Sequence, residues 1–156
     1  MNKQLALCAA IVLATAGVAR ADGPNLIEIR QTGMGLQAGT FAGINAVAAA
    51  KGDVKTLEVR AKAIQRFAAL IPTLFPKGSE TGSNVAIDAP YGRNTNALPK
   101  IWSDMAGFQK AAAELGQAAA KLAELAKAGD ADGLAAQIKV VGGTCAACHN
   151  TYRAKL

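Results

Sequence analysis

Apolar residues recur at helical spacing in four blocks of this 156-residue chain, and no block shows the two-residue alternation of a half-buried strand. Ile27, Met34, Phe41 and Ala48 return every seven residues, which lines them along one stripe of a helix over residues 25 to 50. Gly52-Asp53 supplies a break and an N-cap, and a second stripe follows with Leu57, Ile64, Phe67 and Ile71, ending before Pro72. A third block, with Ser103 as its expected N-cap, runs through Met105, Phe108, Ala112, Leu115, Ala119, Leu122 and Ala126 in steps of three and four. Gly129-Asp130 closes it and opens a fourth, through Leu134, Ile138, Val141, Cys145, Cys148 and Tyr152.

Between Pro72 and Pro99 the periodicity stops, and Pro, Gly, Ser and Asn accumulate in a long connection. Short turns join the remaining neighbours. The pattern predicts an all-α fold, an antiparallel four-helix bundle with a long loop between helices two and three. Composition agrees, because 51% of residues are hydrophobic, much of that alanine, and only 4% are aromatic, too few for a β-sandwich.

The first 21 residues read as an export signal. Lys3 gives a basic start, an apolar run follows from Leu5 to Val18, and Ala19-Arg20-Ala21 offers a small-x-small cleavage site. The run is shorter than the roughly 18–20 apolar residues of a spanning helix, so no stable membrane anchor is expected from it. Residues 22–156 then form one domain, and Cys8 leaves with the signal. Removing Lys3 and Arg20 from 17 basic residues leaves 15 against 11 acidic ones, which takes the formal net charge from +6 to +4. These charges are spread singly and without interleaved aromatics, so a nucleic-acid role has little support.

A single histidine excludes a multi-histidine metal site and a catalytic histidine pair. It stands in Cys145-Ala146-Ala147-Cys148-His149, a C-x-x-C-H sequence of the kind that attaches haem c covalently. Two thiols three residues apart on a helix can add to the two vinyl groups at one haem edge, and the adjacent imidazole reaches the iron from one side. Competing readings fit less well. A thioredoxin-like pair belongs at the start of a helix after a strand, a disulfide of this spacing would close a tiny loop, and zinc lacks further ligands. No Ser/His/Asp set or phosphate loop is present, so no enzyme is expected beyond a haem side activity.

Together with Arg30-Gln31-x-x-Met34 and Ile101-Trp102-Ser103-Asp104-x-x-x-Phe108, the segment from Cys145 to Arg153 resembles the class II cytochromes c, the cytochrome c′ group with its low-spin relatives. The resemblance implies a four-helix bundle around one haem c, in a periplasmic protein that is often dimeric. It implies Cys145 and Cys148 as thioether anchors and His149 as axial iron ligand. Arg30 and Gln31 match positions near the haem propionates, and Arg153 a position on the proximal side. Met34 takes the distal position, where it either ligates the iron, as in the low-spin branch, or only shields it. The first case suits electron transfer with redox partner proteins; the second suits a five-coordinate haem that binds NO or CO. The long connection favours the low-spin branch, and electron transfer is the expected function.

Overall fold

A computed structural model describes residues 25–79 and 95–154 of the chain. The export signal at residues 1–21 lies outside the described residues. Four long helices dominate: α1 (Leu26–Ala49), α2 (Glu58–Leu70), α4 (Met105–Ala128) and α5 (Ala131–Tyr152). A single turn of helix, α3 (Lys100–Ser103), precedes α4. Among the described residues there is no strand, only an isolated antiparallel bridge between Ala97 and Arg153.

Helices α1, α4 and α5 each start where a side chain replaces the missing backbone acceptors of the first turn. Asn25 accepts from the Glu28 N–H at the head of α1, and Asp130 from the Gly133 N–H at the head of α5. Asp53 accepts from the Lys55 N–H, opening a 3₁₀ turn over Val54–Leu57 that leads into α2. Gly129 ends α4 at φ 76°, a left-handed conformation that costs glycine nothing. Pro72 stops α2 at Leu70, and the chain continues through a 3₁₀ turn, Ile71–Leu74.

The expected cap at Ser103 is one residue early. The Ser103 hydroxyl donates back to the Lys100 carbonyl within α3, and Asp104 caps α4 by accepting from the Gly107 N–H at 3.2 Å. Asp104 has the backbone break, at φ −136° and ψ 50°, that a cap needs.

Cross-helix neighbours fix the topology. Phe67 packs against the backbone of Gly33 and Arg60 against that of Gly43, so α1 and α2 run antiparallel. Gly129 meets Lys55 and Gly116 meets Ala68, which makes α2 and α4 antiparallel. The Gln137 amide donates to the Ala118 carbonyl at 2.9 Å, while Gly107 sits under Tyr152, so α4 and α5 are antiparallel too. Helix α1 therefore runs antiparallel to α5, the up-down-up-down arrangement expected of short connections.

The buried stripes of α2, α4 and α5 largely follow the predicted ones. Leu57, Ile64 and Ile71, then Phe108, Ala112, Ala119, Leu122 and Ala126, then Leu134, Ile138, Val141 and Tyr152 are all buried. Cys145 and Cys148 depart from the expectation of a buried seam, since both are only half-buried. Helix α1 departs most. Its predicted residues Ile27, Met34, Phe41 and Ala48 are half-buried, and the two it buries are Arg30 and Ile44. A strict seven-residue repeat finds only every second member of the inward stripe, which steps by four and three through Arg30, Met34, Gln37, Phe41, Ile44 and Ala48.

Candidate haem-attachment site

Helical periodicity puts Cys145, Cys148, His149 and Tyr152 on one side of the last two turns of α5, at steps of three, one and three. Tyr152 is the anchor. It is 6% exposed, stacks edge-on against Phe108 and donates its hydroxyl to Asp104 Oδ2 at 2.9 Å. The same carboxylate caps α4 and pairs with Lys100 Nζ at 3.3 Å. Gly107 leaves room for this, because a Cβ there would stand 2.5 Å from the tyrosine oxygen. Past the helix end, Leu98 N–H donates to the Tyr152 carbonyl and Ala154 N–H to that of Asn96. The turn carrying His149 is thus held to the start of α4 by side chain and backbone together.

Arg153 does not continue the helical face of His149. It stands just past α5 in extended backbone, its N–H closing the last turn on the His149 carbonyl at 3.0 Å. Its charge acts on the imidazole nonetheless: burial, with Arg153 adding to it, holds the His149 pKa below the usual histidine value. A neutral imidazole keeps a lone pair for a metal. Burial raises the Cys145 and Cys148 thiols above their ordinary range, and the two cysteines are not bonded to each other.

Across the bundle, a Cβ at Gly142 would lie 3.4 Å from the Phe41 ring, so α1 and α5 approach one another there. Two turns from that contact toward the start of α1 lead to Met34. Two turns toward the end of α5 lead to His149. By this count positions 34 and 149 are level with each other on facing, antiparallel helices. Met34 and Cys148 also pack against the same cluster of Ile71, Phe75, Ile101, Phe108, Ala112 and Tyr152.

Arg30 lies one turn before Met34, 3% exposed. Its guanidinium stacks on Phe75 at 4.5 Å and faces Trp102 at 5.8 Å. Nη1 donates to the Leu74 carbonyl at 3.3 Å and to the Ser79 carbonyl and hydroxyl at 3.2 and 3.1 Å. The Trp102 indole N–H, expected to find a partner, donates to the Pro76 carbonyl at 3.0 Å. Arg30 thus ties the chain leaving α2 to the first turns of α1. Gln31 beside it is half-buried.

A haem fits these residues. Among the described residues two side-chain polar atoms are buried without a partner, Arg30 Nε and the side-chain oxygen of Gln37, and both lie on the inward stripe of α1 either side of Met34. Helix α1 buries two of its 24 residues, whereas α4, of the same length, buries seven. A flat apolar group between α1 and α5 would cover that under-packed face, and its carboxylates would find a buried cation in Arg30. Sequence reasoning missed Gln37 and the Asp104–Tyr152 tie. The first was legible in the four-and-three stepping of α1; the second joins residues 48 positions apart and has no local signal.

A four-helix bundle with a C-x-x-C-H turn on its last helix and an under-packed first helix opposite defines a c-type cytochrome of the helical-bundle class. Residues 25–153 match the family model described as Cytochrome C′. The chain is 36% identical over 154 residues to cytochrome c-556 of Agrobacterium fabrum, covering 96% of this chain and 88% of that protein. It is 31% identical to cytochrome c′ of Rubrivivax gelatinosus over 131 residues, 83% of this chain and 94% of the other. A nitric oxide complex of a cytochrome c prime variant from Alcaligenes xylosoxidans superposes with a TM-score of 0.70 at 29% identity, covering 85% and 95% of the two chains. The chain belongs to the cytochrome c′ family, and it carries covalently bound haem c.

Proposed function

We propose that the protein is a periplasmic electron carrier whose single haem c is held by thioethers at Cys145 and Cys148 and ligated axially by His149 and Met34. The reading is supported by the count of turns from the Gly142–Phe41 approach, which puts Met34 and His149 at the same level of facing helices, and by the burial that lowers the His149 pKa. Bound there, the haem supplies an iron that cycles between two oxidation states, and His/Met ligation suits electron transfer at raised potential. Cys145 and Cys148 would supply the two thiols that hold the group, each by addition of S–H across a vinyl double bond, which consumes no oxidant.

Arg30, and Gln31 next to it, hold the propionates in this reading, while Arg153 stands by the proximal side and adds to the burial that lowers the His149 pKa. The chain reaches the periplasm through the export signal in residues 1–21, is served by redox partner proteins there, and forms a homodimer. No described helix is long and apolar enough to cross a membrane.

A second reading is favoured by the likeness to the nitric oxide complex: Met34 shields the iron without binding it, and the five-coordinate haem takes NO or CO. Absorption spectra of the oxidised and reduced protein, with and without CO, separate the two. Sharp low-spin bands that ignore CO support ligation by Met34. A broad high-spin spectrum that changes with CO overturns it in favour of gas binding.

A further inference from the structure

Gln37 has no part in the haem chemistry above, yet it occupies the most telling position on α1. It follows Met34 by three residues and precedes Phe41 by four, so it lies on the stripe that faces α5, between the residue level with His149 and the one packed at Gly142. The residue is half-buried, and its side-chain oxygen is buried and accepts no hydrogen bond from the described residues. A buried carboxamide oxygen left unpaired is costly, and native proteins rarely keep one unless something pairs with it.

The unpaired atom is an acceptor, so its partner must bring a hydrogen. A haem would offer none: with iron bound it carries no N–H, and no O–H apart from its carboxylic groups. Those would be drawn to the cation of Arg30, two turns away, whose Nε is the other buried side-chain atom lacking a partner among the described residues. Met34 brings only a thioether, itself a weak acceptor. What remains is a small molecule with its own hydrogen, and water is the one that proteins use to pair such groups.

We propose that Gln37 holds a water molecule on the Met34 side of the haem, through its side-chain oxygen, and that this polar spot is a small-ligand subsite. The inference rests on the haem lying between α1 and α5. The water places an oriented dipole against the face of the ring, where it favours the more positively charged oxidised iron. A ligand without a hydrogen to donate, such as CO, must displace this water and loses its hydrogen bond to Gln37.

The test uses the haem-loaded protein and its Gln37→Leu and Gln37→Met variants, the second keeping the unbranched shape of the side chain should leucine disturb folding. A high-resolution crystal structure of the native holoprotein is expected to show water within hydrogen-bond distance of the Gln37 oxygen. Both variants are expected to lose it and to have a raised reduction potential. In a Met34→Ala background, where that side of the iron is open whatever Met34 does, adding Gln37→Leu is expected to speed CO binding by about three- to tenfold, the worth of one hydrogen bond. No water at Gln37, a protein N–H donating to it instead, or an unchanged potential and CO rate would overturn the proposal. Failure of the ligation reading shows up separately, as CO binding to the native protein without any change at Met34.

Discussion

The two ends of the bundle are built to different rules. At the end where α1 turns into α2 and α4 into α5, the core is aliphatic and small: Ile44, Leu57, Ala61, Ile64, Leu122, Ala126, Leu134 and Val141 interdigitate. At the other end the core is aromatic, with Phe75, Phe108 and Tyr152 in edge-on contacts at 5.0 and 5.2 Å. The buried Arg30 guanidinium, Met34 and Cys148 pack against it. Both unpaired buried polar atoms lie on the half of α1 that faces this end. A core chosen for its own packing has no use for such groups, because each costs desolvation energy that apolar residues of similar volume would not. The aliphatic end holds the helices together; the aromatic end is shaped around a group that is not part of the chain.

Substitutions that separate the ends test this contrast. The largest effect is expected from replacing Cys145 and Cys148 together by alanine: haem staining after denaturing electrophoresis should disappear entirely, and retained covalent haem would refute attachment at this turn. At the opposite end, Leu122→Ala removes a fully buried side chain and should cost about 2–5 kcal/mol in denaturant unfolding. Its haem spectrum should be unaltered, and a changed spectrum would mean that the ends are not independent.

Arg30→Met should show the reverse balance. It removes charge-assisted hydrogen bonds to Ser79 and Leu74, each worth about 1.5–3 kcal/mol, but also the cost of burying a cation, so the net loss should be smaller than for Leu122→Ala. Losing a positive charge beside the haem favours the oxidised iron, and spectroelectrochemistry should find a lowered reduction potential.

The smallest effect concerns pH. The Tyr152 hydroxyl, with Lys100 beside it, holds the Asp104 carboxyl below its ordinary pKa, while burial and the Asp104 hydrogen bond push the Tyr152 phenol above its own. The Asp104 contribution to stability is present above about pH 4 and is lost as pH falls through its depressed value. The Tyr152 contribution is present below about pH 10 and is lost as pH rises toward its raised value. Tyr152→Phe should remove the alkaline limb of the stability profile and make the acid limb shallower, since Lys100 and the Gly107 N–H still favour the carboxylate. A profile identical to the native one would show that the tie adds nothing.

Much of this was readable in the sequence. Caps at Asp53 and Asp130, the stop at Pro72 and the left-handed end at Gly129 depend on a few adjacent residues, and local chemistry placed them correctly. Ser103 misled because two neighbours can both cap, and choosing between them depends on where the backbone breaks. The inward stripe of α1 misled for another reason. Its inward members include a buried arginine and a half-buried glutamine whose side-chain oxygen is buried, and a hydrophobic pattern cannot register polar residues that turn inward.

By itself the sequence determined four helices, their short and long connections, and a C-x-x-C-H turn for covalent haem, because periodicity, caps and motif spacing are set within a few residues. Only the tertiary structure decided which residues share a level. Position 34 comes level with position 149, Asp104 binds Tyr152 and Arg30 reaches Ser79 because antiparallel packing joins turns that lie dozens of residues apart. That juxtaposition is a property of the packed helices, and it is also what leaves the Gln37 oxygen buried without a partner.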